Sequence, residues 1–212
     1  AMLNGPETDI CLNCHDKVDV SKHFGISANN QSCTDCHDAH LVSKDSVLRA
    51  DAHPPFAEGS CSDCHTGDEN AAVGDVLETV PTLCFECHDD IEEKTELAYS
   101  HEPVTEDCQN CHDPHQSGFP SLLSSLQKDV CLECHDDPTE GDGIQAVHQP
   151  FENGECSSCH SPHGSDRELL LSADGDGLCS GCHQELMTLA EQAETPHPAL
   201  DDGCASCHEP HA

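Results

Sequence analysis

The segment His148–Leu171, HQPFENGECSSCHSPHGSDRELLL, contains the pattern that decides how this chain folds. Two cysteines, Cys156 and Cys159, lie three positions apart, and His160 directly follows the second. A further histidine lies on each side of this group, and a leucine cluster ends the segment. The same arrangement recurs with variations along the chain, so the fold has to be explained from a repeat.

The group Cys-x-x-Cys-His occurs nine times and uses all 18 cysteines. We number the motifs in chain order: Cys11, Cys14, His15; Cys33, Cys36, His37; Cys61, Cys64, His65; Cys84, Cys87, His88; Cys108, Cys111, His112; Cys131, Cys134, His135; Cys156, Cys159, His160; Cys179, Cys182, His183; Cys204, Cys207, His208. Two thiols at this spacing can add to the two vinyl groups of one haem, and the following histidine reaches the iron from the same side. Each motif therefore predicts one covalently attached haem c, nine in all.

Nine of the 18 histidines lie outside the motifs, one for each predicted haem. These spare histidines are His23, His40, His53, His101, His115, His148, His163, His197 and His211. An iron with imidazole on both faces needs one ligand beyond its motif, so the count predicts that every spare histidine is an iron ligand. Only Met2 and Met187 could supply sulfur instead. Since axial methionine raises the potential, mostly negative potentials are expected.

Three other uses of Cys-x-x-Cys fit the sequence less well. Structural zinc needs four ligands from two half-sites and does not require a histidine after each second cysteine. Disulfides within such pairs would close very small loops and add little stability. A thioredoxin-like redox motif requires a single pair in a βαβ setting, which the sequence does not predict.

The composition does not support a conventional apolar core. The chain has no Trp, one Tyr and five Phe, and the hydrophobic fraction of 35% includes the cysteines. Haem must then supply the apolar surface that side chains usually bury. The predicted fold is mostly irregular with a few short α-helices and little or no β, the polypeptide being wrapped around a chain of nine stacked haems.

Local sequence predicts only small elements. Helices are expected at Asp89–Ala98 and Gln184–Ala193, where Glu, Leu and Ala recur without breakers. The Asp/Gly runs at Asp142 and Asp174–Gly177 favour turns over calcium loops, because Leu178 stands where a further ligand is needed.

The motifs alternate between two kinds. One kind has a leading histidine before the motif, near a proline, and a trailing histidine three residues after the motif histidine, as in HQPFENGEC and CSSCHSPH; the other kind is plain, as in VCLECHDD. Motif 3 has only its leading His53. We therefore expect a single domain over residues 1–212. Its predicted segments are 1–50 with motifs 1 and 2, 51–80 with motif 3, 81–120 with motifs 4 and 5, 121–170 with motifs 6 and 7, and 171–212 with motifs 8 and 9.

Ligand partners can be assigned provisionally from this alternation. A trailing histidine cannot easily bind the iron of its own motif, because the two axial ligands lie on opposite faces of the haem. Motif 3 has only a leading histidine, so leading histidines are assigned to the motif that follows them: His23 to motif 2, His53 to motif 3, His101 to motif 5, His148 to motif 7 and His197 to motif 9. Trailing His40, His115, His163 and His211 are then assigned to motifs 1, 4, 6 and 8, with ligation of another subunit open for His211.

The repeat HQPFENGECSSCHSPHGSDRELLL resembles the doubled-CxxCH family of multihaem cytochromes, whose motif HxPFxxGxCxxCHxPHGS is followed by leucines. The resemblance extends through the repeats over essentially the whole chain. The resemblance implies covalent haem c. The family includes soluble carriers, surface cytochromes and subunits of extracellular cytochrome filaments.

The formal charge of −35, from 42 acidic and 7 basic residues, disfavours nucleic acid and anionic membranes as partners. It is compatible with a solubilising surface or with docking to basic redox proteins, metal cations or oxides. No apolar stretch is long enough for membrane insertion. Because haem attachment to this motif takes place outside the cytoplasmic membrane, we expect an exported protein whose signal peptide is absent from this sequence, located at the cell exterior or in the periplasm.

The predicted function is electron transfer, since iron with two imidazole ligands has no open position for a substrate. We expect a non-enzymatic cytochrome that passes electrons to other redox proteins or extracellular acceptors, with a homopolymeric filament as the preferred form. A monomeric periplasmic or surface-conduit carrier is the alternative, and a multihaem redox enzyme is a further one.

Overall fold

The computed structural model describes residues 7–15, 33–35, 37, 51–66, 75–140, 146–195 and 198–212. Their α-helices are α1 (Glu7–Leu12), α2 (Pro54–Glu58), α3 (Thr82–Phe85), α4 (Asp89–Thr95), α5 (Glu102–Glu106), α6 (Gln127–Leu132), α7 (Gln149–Glu152), α8 (Gly175–Ser180) and α9 (Gln184–Gln192). The 3₁₀ turns are Cys33–Asp35, Cys61–Asp63, Cys108–Asn110, Pro120–Leu122, Cys156–Ser158, Glu168–Leu170, Pro198–Asp202 and Cys204–Ser206. The strands are β1 (Asp51–Ala52), β2 (Tyr99–Ser100), β3 (Gln116–Ser117) and β4 (Gly164–Ser165).

These elements match the predicted fold class at the coarse level: the chain is mostly irregular, with short helices and two small antiparallel sheets. The helices expected at Asp89–Ala98 and Gln184–Ala193 are present as α4 and α9, each ending slightly earlier. The turn expected at Asp174–Gly177 is wrong, because α8 begins at Gly175. Asp174 precedes α8 and its carboxylate accepts a hydrogen bond from Arg167 Nε at 2.6 Å. Asp142 lies outside the described residues.

The two kinds of motif have different local structures. In the plain motifs the first cysteine lies in a helix: Cys11 in α1, Cys84 in α3, Cys131 in α6 and Cys179 in α8. In the other motifs the first cysteine opens a 3₁₀ turn, and this group includes motif 3 at Cys61–Asp63. The alternation read from the sequence is therefore also an alternation of backbone structure.

A leading histidine starts a very short helix in each of three repeats. His53, His101 and His148 precede α2, α5 and α7 with extended backbone angles, and a proline occupies the first turn of each helix. Proline fits there because its missing N–H has no helical partner in any case. Gly59 and Gly154, with φ of 77° and 76°, end α2 and α7 in the left-handed conformation that favours glycine.

Two compact units divide the chain. Unit 1 combines Ala1–Cys84 with Cys108–Ser125 and contains the antiparallel pair of β1 and β3. Unit 2 combines Phe85–Asp107 with Leu126–Ala212 and contains the antiparallel pair of β2 and β4. The organisation into one domain of five repeat segments stays a prediction.

Within the described residues the polypeptide buries no hydrophobic side chain. The buried residues there are polar, Gln116, Ser117 and Ser165, and they lie in the strands. Leucines of the cluster and of α9 are largely exposed, with Leu169 at 78% and Leu189 at 64%. Exposed leucines and the lack of buried apolar side chains among the described residues agree with the prediction that the polypeptide has no conventional apolar core. None of the described helices has the length and hydropathy to span a membrane.

Candidate haem-binding sites

A hydrogen-bonded turn shapes the motifs. The backbone N–H of the motif histidine donates to the carbonyl of the first cysteine at 2.9–3.1 Å in eight motifs. The eight begin at Cys11, Cys33, Cys61, Cys108, Cys131, Cys156, Cys179 and Cys204. Residues four apart on such a turn face the same side, so the first thiol and the imidazole can address one planar group together. The cysteines that the structure describes form no disulfide with one another.

Backbone carbonyls fix the imidazole rings of several motif and spare histidines. His112 Nδ1 lies 2.8 Å from the Ser121 carbonyl oxygen, and His160 Nδ1 lies 2.8 Å from that of Leu169. Among leading histidines, Nδ1 of His101 and Nδ1 of His148 each lie 2.9 Å from a proline carbonyl, Pro162 and Pro210 respectively. A carbonyl can only accept, so each Nδ1 carries the proton and donates. Nε2 is then the ring nitrogen that carries the lone pair, the form of imidazole in which Nε2 can bind a metal.

The carbonyls of Ser121 and Leu169 come from unusual turns. Ser121 and Leu122 both have φ of 58°, and Leu169 and Leu170 have φ of 58° and 56°. Non-glycine residues pay a steric cost for this left-handed conformation, and such residues cluster at functional sites. Here the turn closes a loop that starts at the motif histidine, since His112 and His160 form bridges with Leu123 and Leu171. The leucine cluster thus directs a backbone carbonyl at the ring of a motif histidine.

Four pairs of histidine rings face each other in the described structure. Each pair joins one motif histidine to one spare histidine: His65 to His115 at a centroid distance of 5.9 Å, His135 to His101 at 6.1 Å, His183 to His148 at 6.1 Å and His160 to His211 at 6.2 Å. The ring planes differ by only 4° to 24°. An iron with an imidazole nitrogen about 2 Å away on each side keeps the two ring centroids about 6 Å apart. The residues present therefore fit a haem iron between the rings.

Four spare histidines lie beside the rings of motifs other than those assigned to them from the sequence. His101 and His148 were expected with motifs 5 and 7, but they lie against the rings of motifs 6 and 8. His115 and His211 were expected with motifs 4 and 8, but they lie against the rings of motifs 3 and 7. His115 lies beside motif 3 because β3, which follows it, pairs with β1 more than 60 residues earlier in the chain, and motif spacing cannot reveal such pairing.

The other spare histidines are placed less completely. His53 donates its backbone N–H to the His115 carbonyl at 2.9 Å and precedes α2, and His163 immediately precedes β4. Their assigned haem partners stay predictions. His23, His40 and His197 lie outside the described residues, as does Cys36.

Burial favours the neutral imidazole form of His115 in unit 1. Burial lowers the pKa of His115, and the neighbouring His65 lowers it further, whereas Asp113 opposes both effects. A neutral imidazole is the form that binds a metal. His211 differs, because its Nδ1 lies 3.2 Å from the Glu209 carboxylate. A carboxylate partner makes an imidazole a stronger donor to iron than a carbonyl does.

A carboxylate also positions motif 9. The Asp176 side chain accepts a hydrogen bond from the Cys204 backbone N–H at 2.9 Å, which lowers the pKa of Asp176. Hydrogen bonding to the same carboxylate raises the pKa of the Cys204 thiol to about 11. No cluster of three or more His, Cys, Asp or Glu side chains arranged for a metal ion occurs among the described residues.

Sequence reasoning missed the groups that orient the rings. Pro162 and Pro210 were visible as the proline of the segment between motif and trailing histidine, and the leucine cluster was visible as a repeated feature. The groups that orient the rings are backbone carbonyls. Every residue has a backbone carbonyl, so residue type does not predict which one will contact a histidine. Glu209 could have been noticed in the sequence, because the residue directly after the motif histidine is also polar in motifs 5 and 7, where it is Asp113 and Ser161.

Comparison with known families matches residues 53–93, 101–140 and 148–188 to the family described as "Doubled CXXCH motif". Each matched interval starts at a leading histidine and runs through the next plain motif. The intervals therefore join motifs 3 and 4, 5 and 6, and 7 and 8, whereas the segments predicted from the sequence join motifs 4 and 5, 6 and 7, and 8 and 9. No curated protein matches the chain. The matched intervals cover more than half of the sequence and each holds two haem-attachment motifs, so this chain belongs to the doubled-CXXCH family and is a multihaem c-type cytochrome.

Proposed function

We propose that this cytochrome transfers electrons through nine haems c whose irons all have two imidazole ligands, and that it does not act as an enzyme. The observation that carries the proposal is the set of four ring pairs, each made of a motif histidine and a spare histidine at 5.9–6.2 Å. Haem supplies one-electron oxidation and reduction at iron. Imidazole on both faces leaves no open position for a substrate.

The protein's own contribution is to hold ligands and tune potentials. Carbonyls fix the rings of His101, His112, His148 and His160 through Nδ1, which limits ligand reorganisation when the iron changes charge. The polypeptide offers little methionine and many carboxylates, and both features favour low potentials. A chain of closely held one-electron centres is suited to conduction.

Three measurements on the mature protein test this proposal. The intact mass of the denatured protein should exceed that of the polypeptide by nine haems. Ferric spectra should contain only low-spin, bis-imidazole signals, and the reduced protein should not bind carbon monoxide. Fewer haems in fully matured protein would refute the count. A substantial high-spin signal or carbon monoxide binding would refute closure of the irons and reopen the enzyme alternative.

We further propose that the protein is exported and works at the cell exterior as a subunit of a cytochrome filament, passing electrons to redox proteins or extracellular acceptors. The family resemblance and the chemistry of haem attachment support this location. Subunits with a formal charge of −35 repel each other, so assembly should strengthen with salt.

Light scattering across ionic strengths, combined with electron microscopy of the mature protein, tests the assembled form. Growing particles and filaments are the expected result. A monodisperse monomer under every condition would instead support the monomeric periplasmic or surface-conduit carrier.

A further inference from the structure

We propose a ligand map in which four haems take their second axial ligand from a spare histidine that leads or trails another motif. The pairs are His65 with His115 for the haem on Cys61 and Cys64, His135 with His101 for that on Cys131 and Cys134, His160 with His211 for that on Cys156 and Cys159, and His183 with His148 for that on Cys179 and Cys182. The map rests on the proposed bis-imidazole function and specifies it.

The composition of the pairs is the first argument for the map. Imidazole rings that merely stack have centroid distances of about 4.5 to 7 Å, so distance alone does not distinguish stacking from ligation. Every pair, however, combines one motif ring with one spare ring. The four distances also fall within 5.9–6.2 Å, as a common iron between the rings requires.

Ring orientation is the second argument. In the pair of His183 and His148, the latter donates Nδ1–H to the Pro210 carbonyl, so Nε2 is the nitrogen left for iron. In the pair of His135 and His101, the latter is fixed in the same way by Pro162. In the pair of His160 and His211, the former is fixed by Leu169 and the latter by Glu209. Both kinds of spare histidine therefore present the same ring nitrogen.

Backbone pairing supplies the third argument, because it explains how trailing histidines reach an earlier motif. The backbone N–H of His53 donates to the His115 carbonyl, and the N–H of His148 donates to the His211 carbonyl, at 2.9 and 3.0 Å. The trailing histidine is thus fastened beside a leading histidine, just upstream of the motif that it serves. An aromatic ring also packs against each of these trailing histidines. Phe56 packs on His115 at a centroid distance of 5.2 Å, and Phe151 packs on His211 at 5.5 Å.

The map has a consequence for haem neighbours. His211 lies three residues after His208, so the segment from Cys204 onward carries motif 9 and also closes the iron of motif 7. In unit 1 the segment from Cys108 does the same for motifs 5 and 3 through His115. Haems that are two motifs apart in sequence are therefore neighbours in space, and electron exchange need not follow motif order.

The test counts low-spin haems in ligand variants of the full-length mature protein. The His211→Ala variant should convert one haem to high spin, and added imidazole should restore it. In the double variant H160A/H211A the number of low-spin haems should fall by one and no further, because both histidines are ligands of one iron. The same count is expected if the haem on Cys156 and Cys159 fails to attach. In H183A/H211A two haems should be affected. The reverse pattern, one haem lost in H183A/H211A and two in H160A/H211A, would overturn the map.

The Glu191→Gln variant, at an exposed position of α9, is the control and should keep every haem low-spin. A structure of the wild-type holoprotein provides a second measurement that does not depend on variants folding. The expected result is an iron bond from each of the four spare histidines to its mapped haem. Low-spin spectra with other iron bonds would refute the map alone, whereas high-spin iron in the wild type would refute the proposed function.

Discussion

Replacement of Glu209 by Gln should raise the potential of a single haem. The Glu209 carboxylate lies 3.2 Å from Nδ1 of His211, whose ring faces that of His160. A carboxylate draws the Nδ1 proton and gives the ring more anionic character, which favours ferric over ferrous iron. A neutral amide removes that preference, so the potential of the haem on Cys156 and Cys159 should increase.

The size of the effect follows from the type of hydrogen bond. A charge-assisted bond exceeds a neutral one by about 1 kcal/mol, which corresponds to about 40 mV for a one-electron couple. The Glu209 side chain is 63% exposed, so solvent screening should reduce the shift to about 20–40 mV. Spectropotentiometric titration, with resolution of single haems by NMR, can detect this change.

Glu191→Gln is a suitable control, since Glu191 is an exposed residue of α9. It removes the same formal charge without touching a ligand ring. A shift confined to one haem in the Glu209 variant supports the reasoning. Equal shifts in both variants would show a general charge effect, and no shift in either would show that the carboxylate does not tune the ring.

Three further predictions concern the surroundings of the rings. Leu169 has φ of 58° and is 78% exposed. The variant Leu169→Val should be less stable than Leu169→Asn by about 1 kcal/mol, because β-branched residues tolerate the left-handed conformation worst. Equal melting temperatures of the two variants would contradict this. Phe151→Leu should cost about 1 kcal/mol and alter the g-values of one low-spin haem, since the Phe151 ring packs edge-on against His211; unchanged g-values would exclude this positioning role. The pKa of Asp176 is lowered in the folded protein, so its contribution is complete above pH about 4 and is lost as the pH falls through the folded-state pKa. The difference in melting temperature between wild type and D176N should accordingly vanish in acid, and a difference that persists there would have another origin.

The attachment of haem c could be predicted from the sequence. The spacing of each motif predicts covalent haem c, and the family match supports this. The scarcity of aromatic residues predicts a chain without an apolar core, in agreement with the described residues. Helices α4 and α9 could be predicted because Glu, Leu and Ala form uninterrupted runs there.

Ligand partners could not be obtained in the same way. Strands β1 and β3 have two residues each, too few for an alternating pattern, yet they fix His115 beside motif 3. The left-handed turn at Leu169 was equally hidden, since leucine has no preference for that conformation. Both features depend on contacts between distant residues rather than on local propensity.

The ring pairs also imply an order of maturation. The plain motif 8 faces His148, which precedes it in the chain, whereas His65 and His160 face histidines about fifty residues further on. During the proposed export, a haem on motif 8 would find its proposed second ligand already translocated. A haem on motif 3 or motif 7 must wait with one face open, exposed to oxygen and to foreign ligands, until the later segment arrives. Removal of residues 209–212 should leave the haem of motif 7 permanently in that early state, and persistence of a fully low-spin spectrum after this truncation would contradict the proposed order.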